Sequence, residues 1–450
     1  MLMGSWSQYG RPVRGFEVIV VGGGSAGCVL AARLSEAGRD VCLIEAGPDY
    51  GPYDEGRWPR DIIDARQLAF SHAWETDRED RSQLRARIMG GCSAHNACVA
   101  LPGAPSDYDE WGHGWSHAVI APYLEQAERN LRVRRFGDEE LSPWHGAFAR
   151  AAGADAIVHP ANVVEGVRWS TAFAYLGPAR DALTIRADTL VDRVLLSGSR
   201  ATGVATSAGE LHAERVVLCA GAYGSPAILL RSGFGPPVGE GLVDHVGVGF
   251  GFEPTERLLR EAAAFEREWP LYMAQVTVAA RSSVCDEGVC DLFAFPALEP
   301  LGPGAYEISA AAFAMKPRSR GSVRLRSPDP REPPAIDHGF LSDERDVSVL
   351  AEGVEIVRAL AASEPVRDYV AREQRPGPDV DAVGHVRAAA RGFFHPVGTC
   401  AIGRVVDGEG RVLGVEGLSV ADASIIPTIP RANTNLTVVA VAERLAERMA

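Results

Sequence analysis

His395 has the surroundings that most favour chemistry among the eleven histidines of the chain. It follows Phe393 and Phe394 and precedes Pro396, which biases the residue before it toward an extended backbone. An imidazole held against apolar side chains has the titration range of a general base. Taken alone, the segment favours the alternative of a buried structural histidine. Polar neighbours predict that four other histidines are exposed to solvent, namely His113, His117, His145 and His159.

A second chemical signature is the pattern G-x-G-x-x-G at Gly22, Gly24 and Gly27. In that pattern the first glycine allows a tight turn, the second lets the backbone approach a pyrophosphate, and the third lets a helix pack closely. The helix N-terminus then offers free N–H groups to phosphates. Glu45, about 20 residues further on, can accept hydrogen bonds from ribose hydroxyls and disfavours a 2′-phosphate. The alternative is a glycine-rich turn without a ligand, and the pattern alone does not separate FAD from NAD.

The elements around this loop form one βαβ unit. Residues 16–21 (FEVIVV) and 41–44 (VCLI) are short apolar runs typical of buried parallel strands, and residues 28–37 between them favour a helix. Residues 47–82 are rich in Pro, Gly, Trp and charge, which predicts extended loop. An apolar strand returns only at residues 216–221 (VVLCAG). The nucleotide domain is therefore predicted to be split in sequence.

The remaining segments predict further strands and one long helix. A small β element is expected before VVLCAG, and alternating patterns predict a sheet that could wall a substrate cavity. The predicted strands are residues 191–194, 203–206, 211–217, 273–280, 306–314 and 322–325, and the predicted helix is residues 346–362.

Composition excludes several classes of function. The net charge of −14 disfavours nucleic acid as a partner, because an acidic surface repels phosphate backbones. Apolar runs such as residues 436–442 are far shorter than the ~18 residues of a membrane span. Residues 1–14 contain no apolar signal core, so a soluble, cytoplasmic protein without membrane association is expected. Cys285 and Cys290 lack flanking histidines, and no metal site is expected.

Further motifs occur in order along the chain. The larger ones are residues 85–96 (RARIMGGCSAHN), 221–235 (GAYGSPAILLRSGFG), 395–399 (HPVGT), 415–427 (VEGLSVADASIIP) and 432–435 (ANTN). Smaller matches are residues 107–111 (DYDEW), 168–179 (RWSTAFAYLGPA), 242–245 (LVDH) and 316–327 (KPRSRGSVRLRS). Together with the glycine loop they resemble the glucose–methanol–choline (GMC) family of FAD oxidoreductases from end to end.

This resemblance implies an α/β fold. It has a Rossmann-like FAD-binding domain, split in sequence, and an α+β substrate domain built on an antiparallel sheet. The expected division gives residues 15–105, 186–250 and 390–450 to the FAD domain and residues 106–185 and 251–389 to the substrate domain. The glycine loop and the resemblance together give the expected cofactor contacts, which are Gly22, Gly24, Ser25, Ala26, Gly27, Glu45, Ala46, Arg87, Gly90, Gly91, Ser93, His95, Asn96, Ala97, Val191, Ala220, Asp422, Ala423, Asn433 and Thr434. Asp422 could also be a helix N-cap.

The resemblance also assigns a catalytic pair. The family carries His or Asn at the position of Asn433, and it implies that a substrate alcohol bonds to His395 and Asn433. His395 then takes the hydroxyl proton, Asn433 stabilises developing alkoxide charge, and a hydride passes to flavin N5. The expected reaction is oxidation of a CH–OH group to an aldehyde or ketone, with oxygen or another compound as electron acceptor.

The segment Cys92 to Asn96 departs from the usual family pattern. Where most members carry an aliphatic residue before the asparagine, this chain has His95, as in the choline-oxidase branch of the family, whose histidine is joined covalently to the 8α-methyl group of FAD. A covalent histidyl–flavin at His95 is therefore expected, with a noncovalent histidine packed on the flavin as the alternative.

Other functions stay open at this stage. Hydroxynitrile lyases show that the family scaffold can support a non-redox reaction, and a flavin-binding protein without catalysis is a third possibility. Among the aromatics, Trp269, Tyr272, Phe293 and Phe295 are candidates for the cavity wall, although core packing is favoured for each. The chain is short for the family, mainly between Gly235 and Phe393, and suits a tailoring enzyme of bacterial secondary metabolism. The oligomeric state is left open.

Overall fold

The structure, a computed structural model, describes residues 15–74 and 83–450. The α-helices of these residues are α1 (Ser25–Glu36), α2 (Arg60–Ile63), α3 (Pro105–Asp109), α4 (His117–Asn130), α5 (Pro143–Ala152), α6 (Gly177–Ala179), α7 (Gly221–Arg231), α8 (Glu256–Phe265), α9 (Glu344–Ala362), α10 (Ala382–Ala389) and α11 (Thr434–Met449). Short 3-10 turns lie at Tyr53–Glu55, Gly91–Ala94, Asp138–Glu140, Gly153–Asp155, Arg180–Ala182, Val366–Asp368 and Ala423–Ile425, and a π-helical turn lies at Ala172–Leu176.

The strands belong mainly to two large sheets. They are β1 (Phe16–Val21), β2 (Val41–Ile44), β3 (Arg134–Arg135), β4 (Ala156–Val158), β5 (Pro160–Ala161), β6 (Val163–Val164), β7 (Val167–Arg168), β8 (Thr184–Arg186), β9 (Val191–Ser197), β10 (Arg200–Thr206), β11 (Gly209–Leu218), β12 (Glu240–Leu242), β13 (Val246–Pro254), β14 (Val276–Ala280), β15 (Leu292–Gly302), β16 (Ala305–Ala314), β17 (Gly321–Arg324), β18 (Ala335–Asp337), β19 (Val370–Arg375), β20 (Arg391–Gly392) and β21 (Leu418–Val420).

The first large sheet has the order β8-β2-β1-β11-β10-β9, with β21 beside β11. The strands from β8 to β11 are parallel, and Val21 of β1 lies opposite both Ile44 of β2 and Leu218 of β11. The first half of β11 continues into an antiparallel meander with β10 and β9. Since neighbouring strands come from segments far apart in the chain, the predicted split of the nucleotide domain is confirmed.

Helix α1 begins inside the glycine motif, at Ser25, and packs against α11, which in turn packs against α4. A Cβ atom at Gly27 would lie only 1.8 Å from the backbone oxygen of Gly22. Glycine at position 27 is therefore required for the helix to begin so close to the strand, as the sequence pattern predicted.

The second large sheet is antiparallel throughout, with the order β19-β13-β16-β15-β14-β4 and β20 beside β13. Side chains alternate strictly along β16: one set is buried in a core with α5, α8 and α9, and the other set faces a cavity. The cavity-facing set is Glu307, Ser309, Ala311 and Phe313. The expected α/β fold with an antiparallel substrate sheet is confirmed by this strand order. Because side chains alternate along each strand, one face of the sheet lies on the core and the other faces the cavity.

Two structural observations concern the predicted division into domains. Strand β13 crosses the boundary expected at residue 250, and α4, from the expected substrate domain, packs on α11 of the FAD domain. The division itself stays a prediction. The expectations for residues 1–14 and for the end of the 47–82 loop lie outside the described residues.

The predicted exposure of His145 and His159 is wrong, because both are fully buried. His145 contacts the carbonyl oxygens of Met273 and Pro296 through Nε2, and His159 contacts Thr277 and stacks on the ring of Phe295. Apart from Ser142, which contacts Nδ1 of His145, these partners lie more than 100 residues away along the chain, so local polarity gave no sign of the burial. No helix in the described parts of the chain is long and apolar enough to cross a membrane.

Candidate active site

A cavity of about 1190 Å³ lies where the two large sheets approach each other. The residues at the carboxyl ends of β1, β2 and β11 line one side, and the outward face of the antiparallel sheet lines the other. Ligands of open parallel sheets bind outside the carboxyl ends of the strands. The cavity is therefore placed to hold a cofactor on its parallel side and a substrate on its antiparallel side.

Two glycine segments meet at the wall of this cavity. Gly22 has a φ of +100°, and a Cβ there would lie 2.6 Å from the carbonyl oxygen of Cys219. Gly91 has a φ of +52°, and a Cβ there would lie 2.6 Å from the Cα atom of Gly24. Since no Cβ atom fits at either position, only glycine lets the backbone pack this closely at the cavity wall.

Three helices begin at the cavity, and each turns its positive end toward it. Helix α1 follows Gly24, α7 begins at Gly221, and α11 follows its N-cap residue Asn433. Free N–H groups and the helix dipole make such ends sites for anionic groups. A diphosphate is the kind of group that this arrangement attracts.

Asp422 fastens the start of α7 to the last strand of the parallel sheet. Its carboxylate accepts hydrogen bonds from the backbone N–H of Gly221 at 2.8 Å and from the hydroxyl of Ser225 at 2.5 Å. It also accepts from the N–H of Ser424 at 2.8 Å, so the predicted N-cap role is confirmed for the turn Ala423–Ile425. Burial raises the pKa of Asp422 in spite of these bonds.

Glu45 directly follows strand β2, and its carboxylate links the glycine loop to the segment after that strand. Its two carboxylate oxygens accept hydrogen bonds from the N–H groups of Gly23 and Gly47, both at 2.8 Å. Burial raises the pKa of Glu45 to about 7, and these backbone bonds oppose the shift. The carboxylate lines the cavity, where its remaining lone pairs can accept from a hydroxyl group.

Most of the predicted cofactor contacts line the cavity. They are Gly22, Gly24, Ser25, Ala26, Glu45, Ala46, Gly91, His95, Asn96, Ala97, Val191, Ala220, Asp422, Ala423, Asn433 and Thr434.

Four predicted contacts do not line it. Gly27 and Gly90 lie behind the loops, and the buried hydroxyl of Ser93 donates to the carbonyl of Gly90 at 2.6 Å. Arg87 donates to the carbonyl of Ala46 at 3.0 Å and lies over the ring of Trp74. These residues shape the site from outside the cavity wall.

The predicted catalytic pair is brought together across the cavity wall. Nδ2 of Asn433 lies 3.3 Å from Nε2 of His395, and both residues line the cavity. Burial, with the neighbouring His245, holds the pKa of His395 well below its usual range, so the imidazole is neutral at neutral pH. A neutral imidazole with an accessible nitrogen can accept a proton.

An aromatic cluster borders this pair. Phe393 stacks on Phe313, with ring centroids 3.7 Å apart and planes within 8°. Phe295 meets both rings edge-on, and the ring of His395 lies 4.5 Å from that of Phe393. Of the four aromatics proposed from sequence, Phe295 lines the cavity, whereas Trp269, Tyr272 and Phe293 do not.

His95 lies on the cofactor side, where it follows the second glycine segment. Burial lowers its pKa to about 4, opposed in part by the backbone of Ser71, so the ring is neutral. Neither ring nitrogen forms a well-aligned hydrogen bond with any residue in the described ranges. Such a buried polar group calls for a partner, and this one faces the cavity.

Sequence reasoning did not assign three residues that contribute to the site. Phe313 and Phe393 form the stacked wall, and the alternation along residues 306–314 could have placed Phe313 on the exposed face. His245 contacts His395 directly. The motif at residues 242–245 marked this histidine, but nothing local connects it to a residue 150 positions later.

Comparison with known proteins gives a consistent picture. The N-terminal model of the GMC oxidoreductase family matches residues 16–162 and 155–247, and the C-terminal model of the same family matches residues 317–442. Residues 248–316, which lie between these matches, include β14, β15 and β16 of the antiparallel sheet.

Two curated relatives are similar over nearly their whole length. The chain is 31% identical to the mitochondrial choline dehydrogenase of Mus musculus, over 96% of this chain and 89% of that protein. It is also 31% identical to the 5-(hydroxymethyl)furfural oxidase of Methylovorus sp. strain MP688, over 96% of this chain and 98% of that protein. Among solved structures, a pyridoxine 4-oxidase from Mesorbium loti superposes with a TM-score of 0.83 at 25% identity, covering 96% of this chain and 99% of that one.

Proposed function

Because the chain belongs to the GMC oxidoreductase family, and is thus an FAD-dependent enzyme that acts on CH–OH groups, we propose that His395 and Asn433 bind the substrate hydroxyl. The observation that supports this most directly is the 3.3 Å approach of Asn433 Nδ2 to His395 Nε2 at the cavity wall. None of the relatives described above favours the lyase alternative.

The residues of the cofactor side fit FAD. Two glycine-rich segments, three helix N-termini and the buried carboxylate of Glu45 suit the pyrophosphate and a ribose. His95, whose ring nitrogens have no well-aligned partner in the described ranges, lines the cavity just after the second glycine segment. FAD, when bound, supplies the acceptor for the hydride that leaves the substrate carbon.

The chain's own residues perform the proton transfer. Nε2 of His395 accepts the proton of the substrate hydroxyl, and the amide N–H of Asn433 donates to the oxygen as negative charge develops there. The aromatic cluster of Phe295, Phe313 and Phe393 gives the base an apolar border, because the ring of His395 lies 4.5 Å from that of Phe393. Burial that disfavours a charged imidazole makes His395 a base already deprotonated at neutral pH.

The aromatic cluster also indicates a substrate class, which we propose to be primary alcohols carried on an aromatic ring. Flat rings gain most from stacked and edge-on contacts such as those of Phe313 and Phe295. The similarity to a 5-(hydroxymethyl)furfural oxidase is consistent with this class.

An anaerobic screen tests this proposal. Purified holoenzyme is mixed with hydroxymethyl aromatics, with straight-chain alcohols and with choline, and flavin absorbance is followed. Bleaching by the aromatic alcohols supports the proposal, and bleaching by the other compounds alone contradicts the substrate class. Flavin that no alcohol bleaches would contradict alcohol oxidation itself. Peroxide formation under air then distinguishes oxygen from another acceptor.

We further propose that His95 is covalently joined to the 8α carbon of FAD. The new C–N bond would replace the imidazole N–H and one C–H bond of the 8α-methyl group, and the flavin itself would take up the two electrons and pass them to the electron acceptor. A neutral imidazole, buried and lacking a well-aligned partner within the described ranges, has a lone pair available for such a bond. Acid precipitation of the holoenzyme should give a yellow pellet, and His95→Ala should give a colourless pellet with the flavin in the supernatant. A colourless wild-type pellet rejects the link.

A further inference from the structure

The motif at residues 242–245 has no part in the chemistry described so far, yet two of its residues hold the proposed base. We propose that Asp244 and His245 are positioning residues that fix the tautomer and orientation of His395, with the proton on Nδ1 and a lone pair on Nε2. This inference rests on the proposed role of His395 as general base.

The hydrogen bonds of His245 determine the tautomer. Its Nε2 lies 3.0 Å from the carbonyl oxygen of Pro430, which can only accept, so Nε2 of His245 carries a proton. In a neutral imidazole the other nitrogen, Nδ1, is then an acceptor. Nδ1 of His245 lies 3.0 Å from Nδ1 of His395, so the proton between them belongs to His395. Nε2 of His395 is left with its lone pair.

This deduction requires a neutral His245, and the surroundings keep it neutral. Burial lowers its pKa to about 3, with a further contribution from the positive charge of Lys316, against the opposing carbonyls of Pro430 and Met315. Lys316 is itself held in place by its hydrogen bonds to the carbonyl of Ile429 and to Asp107. The groups that face His245 are therefore a cation, neutral carbonyls and His395.

Asp244 holds the backbone of the same segment. Its Oδ1 accepts from the N–H of His395 at 2.9 Å, and the N–H of Phe393 donates to the carbonyl of His245 at 3.0 Å. Between them Phe394 adopts a φ of +63°, which is strained for a bulky residue and needs support from its neighbours. Adjacent residues of one motif thus hold both the main chain and the side chain around the base.

The opposite tautomer would be penalised at both ends of the ring. With the proton on Nε2, His395 would direct an N–H at the Nδ2–H of Asn433, and its Nδ1 lone pair would face that of His245. The observed arrangement instead gives Nε2 an N–H donor and leaves it ready to accept the substrate proton. Fixing the correct tautomer is the role that a neighbouring acceptor plays for other catalytic histidines.

Ring ¹⁵N NMR of histidine-labelled, oxidised holoenzyme tests the tautomer without any turnover. The His395 signals are assigned by their absence from His395→Ala. We expect a protonated Nδ1 and a nonprotonated Nε2 in wild type and in His245→Asn, whose Oδ1 replaces the acceptor. In His245→Leu, which has no acceptor, the Nε2-protonated form should become populated. An Nε2-protonated wild type, or an unchanged tautomer in His245→Leu, would overturn the proposal.

Flavin reduction by the same variants supplies a second readout. His245→Leu should be reduced at least about tenfold more slowly than His245→Asn, with less change in KM than in kcat, since the wrong tautomer cannot accept the proton. Equal rates would contradict the positioning role. If His395→Ala is reduced as fast as wild type, the base assignment fails while the NMR result still decides the tautomer.

Discussion

The two sheets that face the cavity present different kinds of chemistry. The parallel sheet presents backbone: glycine segments at Gly22 and Gly91, and helix N-termini beside them. The antiparallel sheet presents side chains, because alternate residues of β16 point into the cavity. Where backbone packs against backbone, as at Gly22 and Gly91, an added Cβ atom clashes, whereas a side-chain surface can be altered one residue at a time. The cofactor side is therefore fixed by the fold, and the substrate side can be tuned.

The largest expected effect of this difference is at Gly27. In Gly27→Ala the new Cβ would lie 1.8 Å from a backbone oxygen that cannot move aside, so a loss of about 3 kcal/mol or more and little FAD-loaded protein are expected. Gly249→Ala is the matched control on the antiparallel side, since nothing lies within 4 Å of its Cβ. The FAD content and the urea unfolding midpoint are measured for each of the two variants. A normal FAD content in Gly27→Ala would contradict the comparison.

A smaller effect is expected on the substrate side. Phe313→Ala removes the stacked partner of Phe393 and should raise KM for aromatic alcohols about tenfold, while FAD content stays normal. Ile308 is the control, because it lies on the opposite face of the same strand, is fully buried in the core and does not line the cavity. Ile308→Ala should lower stability by about 3 kcal/mol and leave KM unchanged. Equal KM effects in the two variants would show that the cavity face is assigned wrongly.

The smallest effect is expected at Asp244, two residues before strand β13 of the antiparallel sheet. Burial raises its pKa from 3.8 to about 7, against four backbone N–H groups. The folded protein therefore retains a proton that the unfolded chain releases, and this stabilisation is complete below about pH 3.8 and lost as pH rises through 7. Asn cannot ionise, so the Tm of Asp244→Asn should fall less than that of wild type between pH 5 and 8. If Tm falls with pH equally in wild type and in Asp244→Asn, the raised pKa of Asp244 would be contradicted.

The cofactor side was predictable from sequence to a large extent. Strands at residues 16–21 and 41–44 have the predicted bounds, because a buried parallel strand is a continuous apolar run. Helix α1 begins three residues earlier than predicted, at Ser25, since the glycine motif itself forms its first turn. The resemblance to the family supplied the positions of the later motifs.

The substrate side was less predictable. The strand predicted at residues 273–280 begins at Val276, and the alternation along residues 306–314 could place Phe313 on a face but could not reveal its stacking on Phe393. His145, His159 and His245 obtain their roles from partners more than 100 residues away. Long-range contacts of this kind leave no periodic signal, and the family models leave residues 248–316 unmatched.

The central claim is that His395 removes the substrate proton in a site whose FAD is held by other residues. Stopped-flow flavin reduction under anaerobic conditions, with an aromatic alcohol that bleaches the wild type, measures it most directly. The flavin of His395→Ala should be reduced ~10²- to 10⁴-fold more slowly at unchanged FAD content. The control is His212→Ala, because His212 has a partly exposed side chain on strand β11, and this variant should behave as wild type. Reduction of His395→Ala at the wild-type rate would contradict the claim.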